Sequence, residues 1–173
     1  MRLLLTFYLA GISLLVAQPR QPDIAAQKAA MKKLEFLVGK WEGDAKVWRG
    51  PGEPIAVRQT EDVRMRLDGL VMLVEGTGRD PQTGKIVFNA LATIAFDEAT
   101  GTYRTRAYND GRYLDTELTV VDKGYSWGYE AGPAKIRNSM KLNAEGEWVQ
   151  TGEVLFGNAP PRKTMEMTVR RTQ

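Results

Sequence analysis

The sequence predicts an all-β fold: an antiparallel up-and-down barrel of about ten strands that follows one short helix. Segments in which apolar and polar residues alternate recur from about position 40 to the end of the chain. Short turns rich in Gly, Asp and Asn separate these segments at regular spacing, which is typical of a sandwich or barrel. The 173 residues suffice for one domain with its own core, and no long linker follows residue 38.

The first 17 residues, MRLLLTFYLAGISLLVA, differ from everything after them. Arg2 supplies a minimal positive region, Leu3 to Val16 form an apolar run of 14 residues, and Ala17 ends it. This is the build of a secretory signal peptide, and the run is shorter than the about 20 residues of a membrane span. We therefore expect a periplasmic or secreted protein with no membrane span after cleavage; an uncleaved N-terminal anchor is the alternative.

Residues 18–30 are a polar, Pro-containing linker that leads into a helix, and residues 31–173 form the predicted barrel domain. The sequence DIAAQKAAMKKLEFL is rich in good helix formers and has apolar residues near helical spacing. Asp23 suits the N-cap. We expect one helix over about 24–36, ended by Gly39.

Ten strand-like segments follow. Asp68-Gly69 predicts a two-residue hairpin between the second and third segments, and the turns DPQTG and DEATG each end in a glycine suited to the left-handed region. The segments are 41–48, 55–67, 70–79, 85–96, 102–108, 113–121, 125–130, 134–142, 147–156 and 162–171.

Closure of these strands into a barrel would remove the exposed sheet edges, and more than eight strands would leave internal room. One parity of each strand would line the interior. Segments 70–74 and 86–96 are apolar on both parities. The helix or a loop covers their outer face, or a second copy of the chain does, which would make a homodimer.

The composition excludes several kinds of chemistry. The chain has no histidine and no cysteine, which rules out a Ser-His-Asp or Cys-His catalytic group and the usual zinc ligands. The net charge of +3 is spread over interleaved acidic and basic residues, so nucleic acid is not an expected partner. We assign no catalytic residue, no metal and no cofactor.

The stretch LEFLVGKWEG contains Gly39-Lys40-Trp41 after a short helix and at the start of the first strand. It resembles the G-x-W signature of calycin barrels, which include lipocalins and fatty-acid-binding proteins. With LDG, EGTGRDPQTG, IAFDEATGTY and MEMTVRR, the chain resembles an exported bacterial lipocalin-like family of undefined function, related in shape to nitrobindin-like barrels. The resemblance implies that Trp41 plugs the closed end and that a late arginine, Arg170 or its neighbour Arg171, packs over it; we assign Arg170.

A polar cluster inside the barrel is a second expectation. If Glu75 has the parity of Val71 and Leu73, it points inward, where a buried carboxylate must be paired or protonated. Arginine binds a carboxylate in two places at once. Arg64, Arg104 and Arg106 are therefore candidate partners that orient a ligand's polar head, as in fatty-acid-binding barrels; an outward Glu75 and a solvated arginine face are the alternative.

Tyr125, Trp127 and Tyr129 form an aromatic stripe on one strand parity, which fits either core packing or the wall of a ligand cavity. We expect a barrel that binds a small apolar or amphipathic molecule in its interior. The alternatives are a structural or dimeric envelope protein with a filled barrel, and an isomerase or hydrolase that uses internal carboxylates.

Overall fold

A computed structural model gives the fold, and it describes residues 21–172. The predicted signal peptide, 1–17, lies outside the described residues, as does the start of the linker. Ten antiparallel strands form a closed barrel in which each strand pairs with its neighbours in sequence and the first pairs with the last. This confirms the predicted all-β, ten-stranded up-and-down barrel with one short helix.

The helix α1 spans Ile24–Lys32, and a 3₁₀ turn, Glu35–Leu37, follows it. The strands are β1 Gly39–Val47, β2 Ile55–Arg66, β3 Val71–Arg79, β4 Ile86–Asp97, β5 Thr102–Asn109, β6 Arg112–Val121, β7 Gly124–Ala131, β8 Ala134–Leu142, β9 Trp148–Phe156 and β10 Arg162–Arg171.

Helix α1 begins where the sequence predicts and ends earlier. The carboxylate of Asp23 accepts a hydrogen bond from the amide of Ala26 at 2.9 Å, as an N-cap residue does. The α-helix stops at Lys32 because the chain tightens into the 3₁₀ turn, which brings Leu34 and Leu37 under the barrel. The predicted helix over 24–36 is therefore an α-helix plus a separate turn.

The turns follow the predicted glycine chemistry with one correction. Gly84 and Gly101, the last residues of DPQTG and DEATG, both have φ of 70°. The two-residue hairpin predicted at Asp68-Gly69 was wrong: Arg66 pairs with Val71, so four residues connect the strands. Asp68 and Leu67 before it both have positive φ, and Asp68 departs from helical geometry inside the short 3₁₀ turn at this connection.

The core concentrates at the end of the barrel where α1 and the 3₁₀ turn lie, which we call the closed end. The indole N–H of Trp41 donates to the carbonyl of Leu37 at 2.8 Å. Trp148 meets the Trp41 ring edge-on, with ring centroids 5.8 Å apart. The tyrosine hydroxyl of Tyr103 donates to the carbonyl of Ala30 at 2.8 Å and ties α1 to the barrel. Fully buried apolar side chains fill the space between: Met31, Leu34, Leu37, Met72, Met140 and Val169.

Candidate functional site

The inward faces of β3, β4 and β5 carry small residues. Gly76 pairs with Ala90 across the β3–β4 ladder, and Ala92 pairs with Ala107 across the β4–β5 ladder. The three alanines are only half-buried although they lie on the inward parity of strands within the barrel wall. These small inward side chains therefore keep part of their surface accessible.

The adjoining part of the wall, on β6 to β8, carries larger inward residues that also keep exposed surface. Trp127 and Leu114 are half-buried, and Tyr129 is 38% exposed. Their inward parity follows from the ladders that pair the β7 stripe with buried residues such as Leu118 and Met140. We call this partly accessible upper part of the interior the cup; its wall includes Ala90, Ala107, Leu114, Trp127, Tyr129 and Asn138.

A buried carboxylate lies below the cup, next to the packed closed end. Glu61 on β2 is 8% exposed and pairs with Trp41 on one side and Gly76 on the other. The side-chain amide of Gln59 donates to its Oε1 at 2.8 Å. Gly76 makes room for this carboxylate, since a Cβ there would lie 2.9 Å from Oε2 and 3.0 Å from Oε1.

Two further polar atoms lie at this level, Oε2 of Glu61 and the hydroxyl oxygen of Tyr125. In the part of the chain that the structure describes, no donor bonds Oε2 of Glu61 and no group bonds the hydroxyl of Tyr125. Every fully enclosed side-chain nitrogen or oxygen among residues 21–172 has a hydrogen-bond partner. These two atoms are therefore not fully enclosed, and, because both side chains point inward, they open on the interior.

Burial changes the protonation of both groups. It raises the pKa of the Glu61 carboxyl to about 7, and the Gln59 hydrogen bond opposes this rise only in part. Burial also raises the pKa of the Tyr125 hydroxyl, and the negative charge of Glu61 adds to that rise. Glu61 thus titrates near neutral pH, while Tyr125 stays a neutral phenol that can donate or accept a hydrogen bond.

The loop between β1 and β2 reaches over the other end of the barrel, which we call the mouth. The amide of Trp48 donates to the carbonyl of Thr164 at 2.9 Å and holds the loop against β10. A cavity of about 270 Å³ lies between this loop and the wall residues Ile136 and Val154. Basic side chains stand around it: Arg49, Arg162 and Lys163.

The internal cluster predicted around Glu75 was wrong. Glu75 is 46% exposed and lies 3.4 Å from the guanidinium of Arg64 on the outside of the barrel. Arg64 also pairs with Asp62, the residue after Glu61. Glu75 has the parity of Val71 and Leu73 as expected, but that parity faces outward, because Met72 and Gly76 on the other parity are buried.

The cavity role predicted for Arg104 and Arg106 was also wrong. Arg104 pairs with Glu117 at 3.0 Å, and Arg106 pairs with Asp115, all on the outer face of β5 and β6. Hydrogen bonding to Asp115 is the main cause that raises the pKa of Arg106. Exposed pairs of this kind contribute less than about 1 kcal/mol each to stability.

The aromatic stripe lies where the sequence predicts, on the inward parity of β7. Tyr125 is buried, Trp127 is half-buried, and their rings are 5.5 Å apart. Exposure increases along the strand toward Tyr129 at the mouth. The stripe therefore runs from the level of Glu61 up one wall of the cup, and its contact with a ligand stays a prediction.

The arginine assigned to cover Trp41 was the wrong one of two. Arg171 pairs with Trp41 in the β1–β10 ladder, and its guanidinium carbon lies 4.2 Å from the centre of the indole ring. The same group donates to the carbonyls of Phe36, at 2.6 Å, and Val38. Arg170 has the opposite parity and bonds Glu147 on the outside at 2.5 Å.

The residue pattern of β2 contains a signal for the buried position of Glu61. Gln59 and Glu61 lie between Val57 and Val63 on the same parity of β2, which is the buried one. A polar pair on an otherwise apolar parity marks a buried polar site. Glu75 was assigned instead because it follows an apolar run on β3.

Residues 21–172 contain no cluster of three or more acidic side chains that could hold a metal ion. Within the same range, no helix is both long and apolar enough to cross a membrane.

Comparison with known proteins places this barrel among solved folds. The crystal structure of Rv2717c from M. tuberculosis is similar, with a TM-score of 0.63 and 11% sequence identity over 83% of this chain and 98% of that one. The S-type phycobiliprotein lyase CPES from Guillardia theta is similar with a TM-score of 0.59 and 9% identity, over 83% of this chain and 93% of that one. At such identities the likeness is one of fold alone.

No curated protein matches the sequence. A family model does match, over residues 26–171, which include most of α1 and the whole barrel. The chain belongs to the family described as "Protein of unknown function (DUF1579)".

Proposed function

We propose that this protein binds a small, largely apolar molecule in the cup, with the Glu61 level as the floor of the site. One observation carries the proposal: several inward-facing residues toward the mouth, such as Ala107 and Trp127, keep exposed surface, whereas Trp41 at the closed end is fully buried. A barrel built only for stability would pack its interior throughout, since voids cost stability.

The chemistry of the wall supports this proposal. Alanines on β4 and β5 share the inward surface of the barrel with Trp127 and Tyr129 on β7, so a flat or slender apolar group could lie against the aromatic rings. Ligand sites of this kind are mostly apolar with a few placed polar groups. Glu61 and Tyr125 are such groups here. A phycobiliprotein lyase is among the solved barrels of similar fold, and this resemblance agrees with a small-molecule role without naming the ligand.

The binding experiment uses N-phenyl-1-naphthylamine, an uncharged apolar probe that becomes fluorescent in apolar surroundings. We expect saturable binding by the wild-type protein. Ala107→Phe, which fills the cup, should weaken this binding at least about tenfold, a loss of about 1.4 kcal/mol. Thr119→Phe is the matched control, because it adds the same ring to the outer face of β6, where residue 119 is exposed. Equal binding by both variants and the wild type would place the probe outside the barrel and contradict the proposal.

A second candidate is favoured by the protonation of Glu61. A carboxyl with a pKa near 7 beside a solvent-open site is suited to general acid–base catalysis, and Tyr125 could polarise a substrate oxygen. A proton-shuttling isomerase is therefore the alternative. Conversion of cyclohex-3-enone to its conjugated isomer, followed by ultraviolet absorbance, tests it: catalysis lost in Glu61→Gln would support the enzyme, and no catalysis above buffer would leave binding as the function.

We also propose that the protein is exported to the periplasm or secreted, on the composition of residues 1–17. The N-terminal sequence and intact mass of protein isolated from its source test this: a chain that begins near residue 18 is expected, and an intact Met1 would contradict cleavage. A homodimer stays a prediction, which analytical ultracentrifugation of the mature chain tests.

A further inference from the structure

We infer that the ligand carries a protonated amine at its inner end and that Glu61 binds this group. The inference rests on the proposed function and names the ligand class of the same site. This arrangement is the opposite of the one expected from the sequence, in which internal arginines bind the acidic head group of a ligand.

Charged side chains are distributed unevenly between the interior and the outside of the barrel. Among residues 21–172, the inward-facing positions between the Arg171 cap and the rim of the mouth carry one charged side chain, and it is Glu61. Arg64, Arg104 and Arg106 all lie outside in ion pairs. A ligand carboxylate at the floor of the cup would therefore meet a like charge and no cation, whereas an ammonium would meet its opposite charge.

The Glu61 carboxylate has one hydrogen-bond donor among the described residues and can accept from another. Gln59 uses one oxygen of the Glu61 carboxylate and leaves Oε2 free on the side that opens to the interior. The Tyr125 hydroxyl opens on the same interior, and it lies close enough for the charge of Glu61 to raise its pKa. An ammonium has three donors, so it can bond both oxygens at once. Neither the amide of Gln59 nor the phenol of Tyr125 neutralises the carboxylate.

Burial of the Glu61 carboxylate has an energetic cost. A carboxylate that is nine-tenths buried with one neutral partner is costly to ionise, and a protein without a use for it gains stability by replacing it. Gly76 keeps space for this carboxylate where alanine would displace it. A cationic ligand group would supply the missing partner, and charge-assisted hydrogen bonds are about twice as strong as neutral ones.

The basic residues at the rim of the mouth could bind an acidic head group instead. Arg49, Arg162 and Lys163 surround the cavity beneath the β1–β2 loop, so an acid could bind there with its tail in the cup. That tail would then end against Glu61. The two arrangements predict opposite preferences between an amine and an acid with the same apolar body.

The test measures displacement of N-phenyl-1-naphthylamine at pH 8 by octylamine, octanol and octanoate, which share one chain and differ in the head group. We expect octylamine to bind at least about tenfold more tightly than octanol, and octanoate to bind most weakly. In Glu61→Gln, the amine should lose this advantage over octanol while the neutral probe still binds. Glu75→Gln is the matched control, since it removes an outward carboxylate from the neighbouring strand, and it should keep the full preference.

The remaining outcomes distinguish a failure of the proposed function from a failure of the inference that Glu61 binds an amine. Failure of the neutral probe and octanol to bind the wild-type protein would overturn the proposed function itself. Binding of both without an amine preference, or an amine preference that persists in Glu61→Gln, would overturn only the inference. A preference for octanoate that disappears in Arg162→Gln would assign the head group to the rim and likewise overturn it.

Discussion

The carboxylate of Glu61 lies against the backbone of Gly76, its partner across the β2–β3 ladder, so closely that a methyl group on Gly76 would stand 2.9 Å from Oε2. This pairing holds an ionisable carboxyl at the floor of an interior that is otherwise uncharged among the described residues. A glycine in a strand lowers stability relative to alanine, and burial of a carboxyl disfavours its charged form. Both costs fall at the same place, which is typical of a functional site.

We expect the stability of the protein to fall as pH rises from about 4.5 to about 7. Glu61 has a pKa of about 7 in the folded state and its ordinary value of 4.5 when unfolded, so the folded state binds more protons in this window. The loss amounts to about 3 kcal/mol, at about 1.4 kcal/mol per pKa unit. Urea unfolding at pH 5 and pH 8 measures it.

Glu61→Gln should remove most of this pH dependence, because glutamine keeps a neutral acceptor for Gln59 and does not titrate. The variant should be more stable than the wild type at pH 8 and similar to it at pH 5. Glu75→Gln, on the outside, should leave the pH dependence unchanged. A wild-type stability that rises between pH 5 and pH 7 would mean that Glu61 is ionised at little cost in the folded protein. Carboxyls with lowered pKa, such as Asp62, act below this window.

Gly76→Ala should move the Glu61 carboxylate without unfolding the barrel. The new Cβ would contact only the far end of a flexible side chain, so we expect the free energy of unfolding to change by less than about 1 kcal/mol. The displaced carboxylate should become better hydrated, and the fall in stability between pH 5 and pH 8 should shrink. A pH dependence equal to that of the wild type would show that the carboxylate can stay in place.

Gly43→Ala should be far more destabilising than Gly76→Ala. Its Cβ would stand 2.1 Å from the carbonyl oxygen of Thr168 and 2.8 Å from the Cα of Val169, and this backbone of β10 cannot move without breaking the ladder that closes the barrel. We expect a loss of about 3 kcal/mol or more in the free energy of unfolding. Thermal unfolding by circular dichroism checks it; equal melting temperatures for the two variants would contradict it.

Arg171→Gln should cost more stability than Arg170→Gln. Arg171 covers the Trp41 ring and bonds two carbonyls of the segment that precedes β1, so its loss opens the closed end. Arg170 is 80% exposed and bonds only Glu147. We expect losses of about 2 kcal/mol and less than about 1 kcal/mol, respectively. Urea unfolding at pH 5 compares them, and a larger loss in Arg170→Gln would reverse the assignment.

The strand pattern could be predicted from sequence because alternation and glycine turns are local. Trp41 could be placed between two glycines for the same reason: Gly39 has φ of 134°, and Gly43 approaches β10. The choice between Arg170 and Arg171 depended on one residue of register in a ladder between the two ends of the chain, which local sequence does not determine.

The site itself was harder to predict. Which parity of a strand faces inward is decided by contacts with distant strands, and β3 is apolar on both parities near its start. Glu75 was therefore assigned on the apolar run before it, whereas the better clue was the apolar company of Glu61 on β2. The closeness of Glu61 to Tyr125, 64 positions later in the chain, depends on the closed barrel and has no local signal.

A crystal structure of the protein soaked with N-phenyl-1-naphthylamine tests the central claim most directly. The account predicts density for the probe inside the barrel, between the alanines of β4 and β5 and the ring of Trp127, above Glu61. Density only in the outer groove beside Glu75 and Tyr108, with the interior filled by the protein's own side chains, would contradict it.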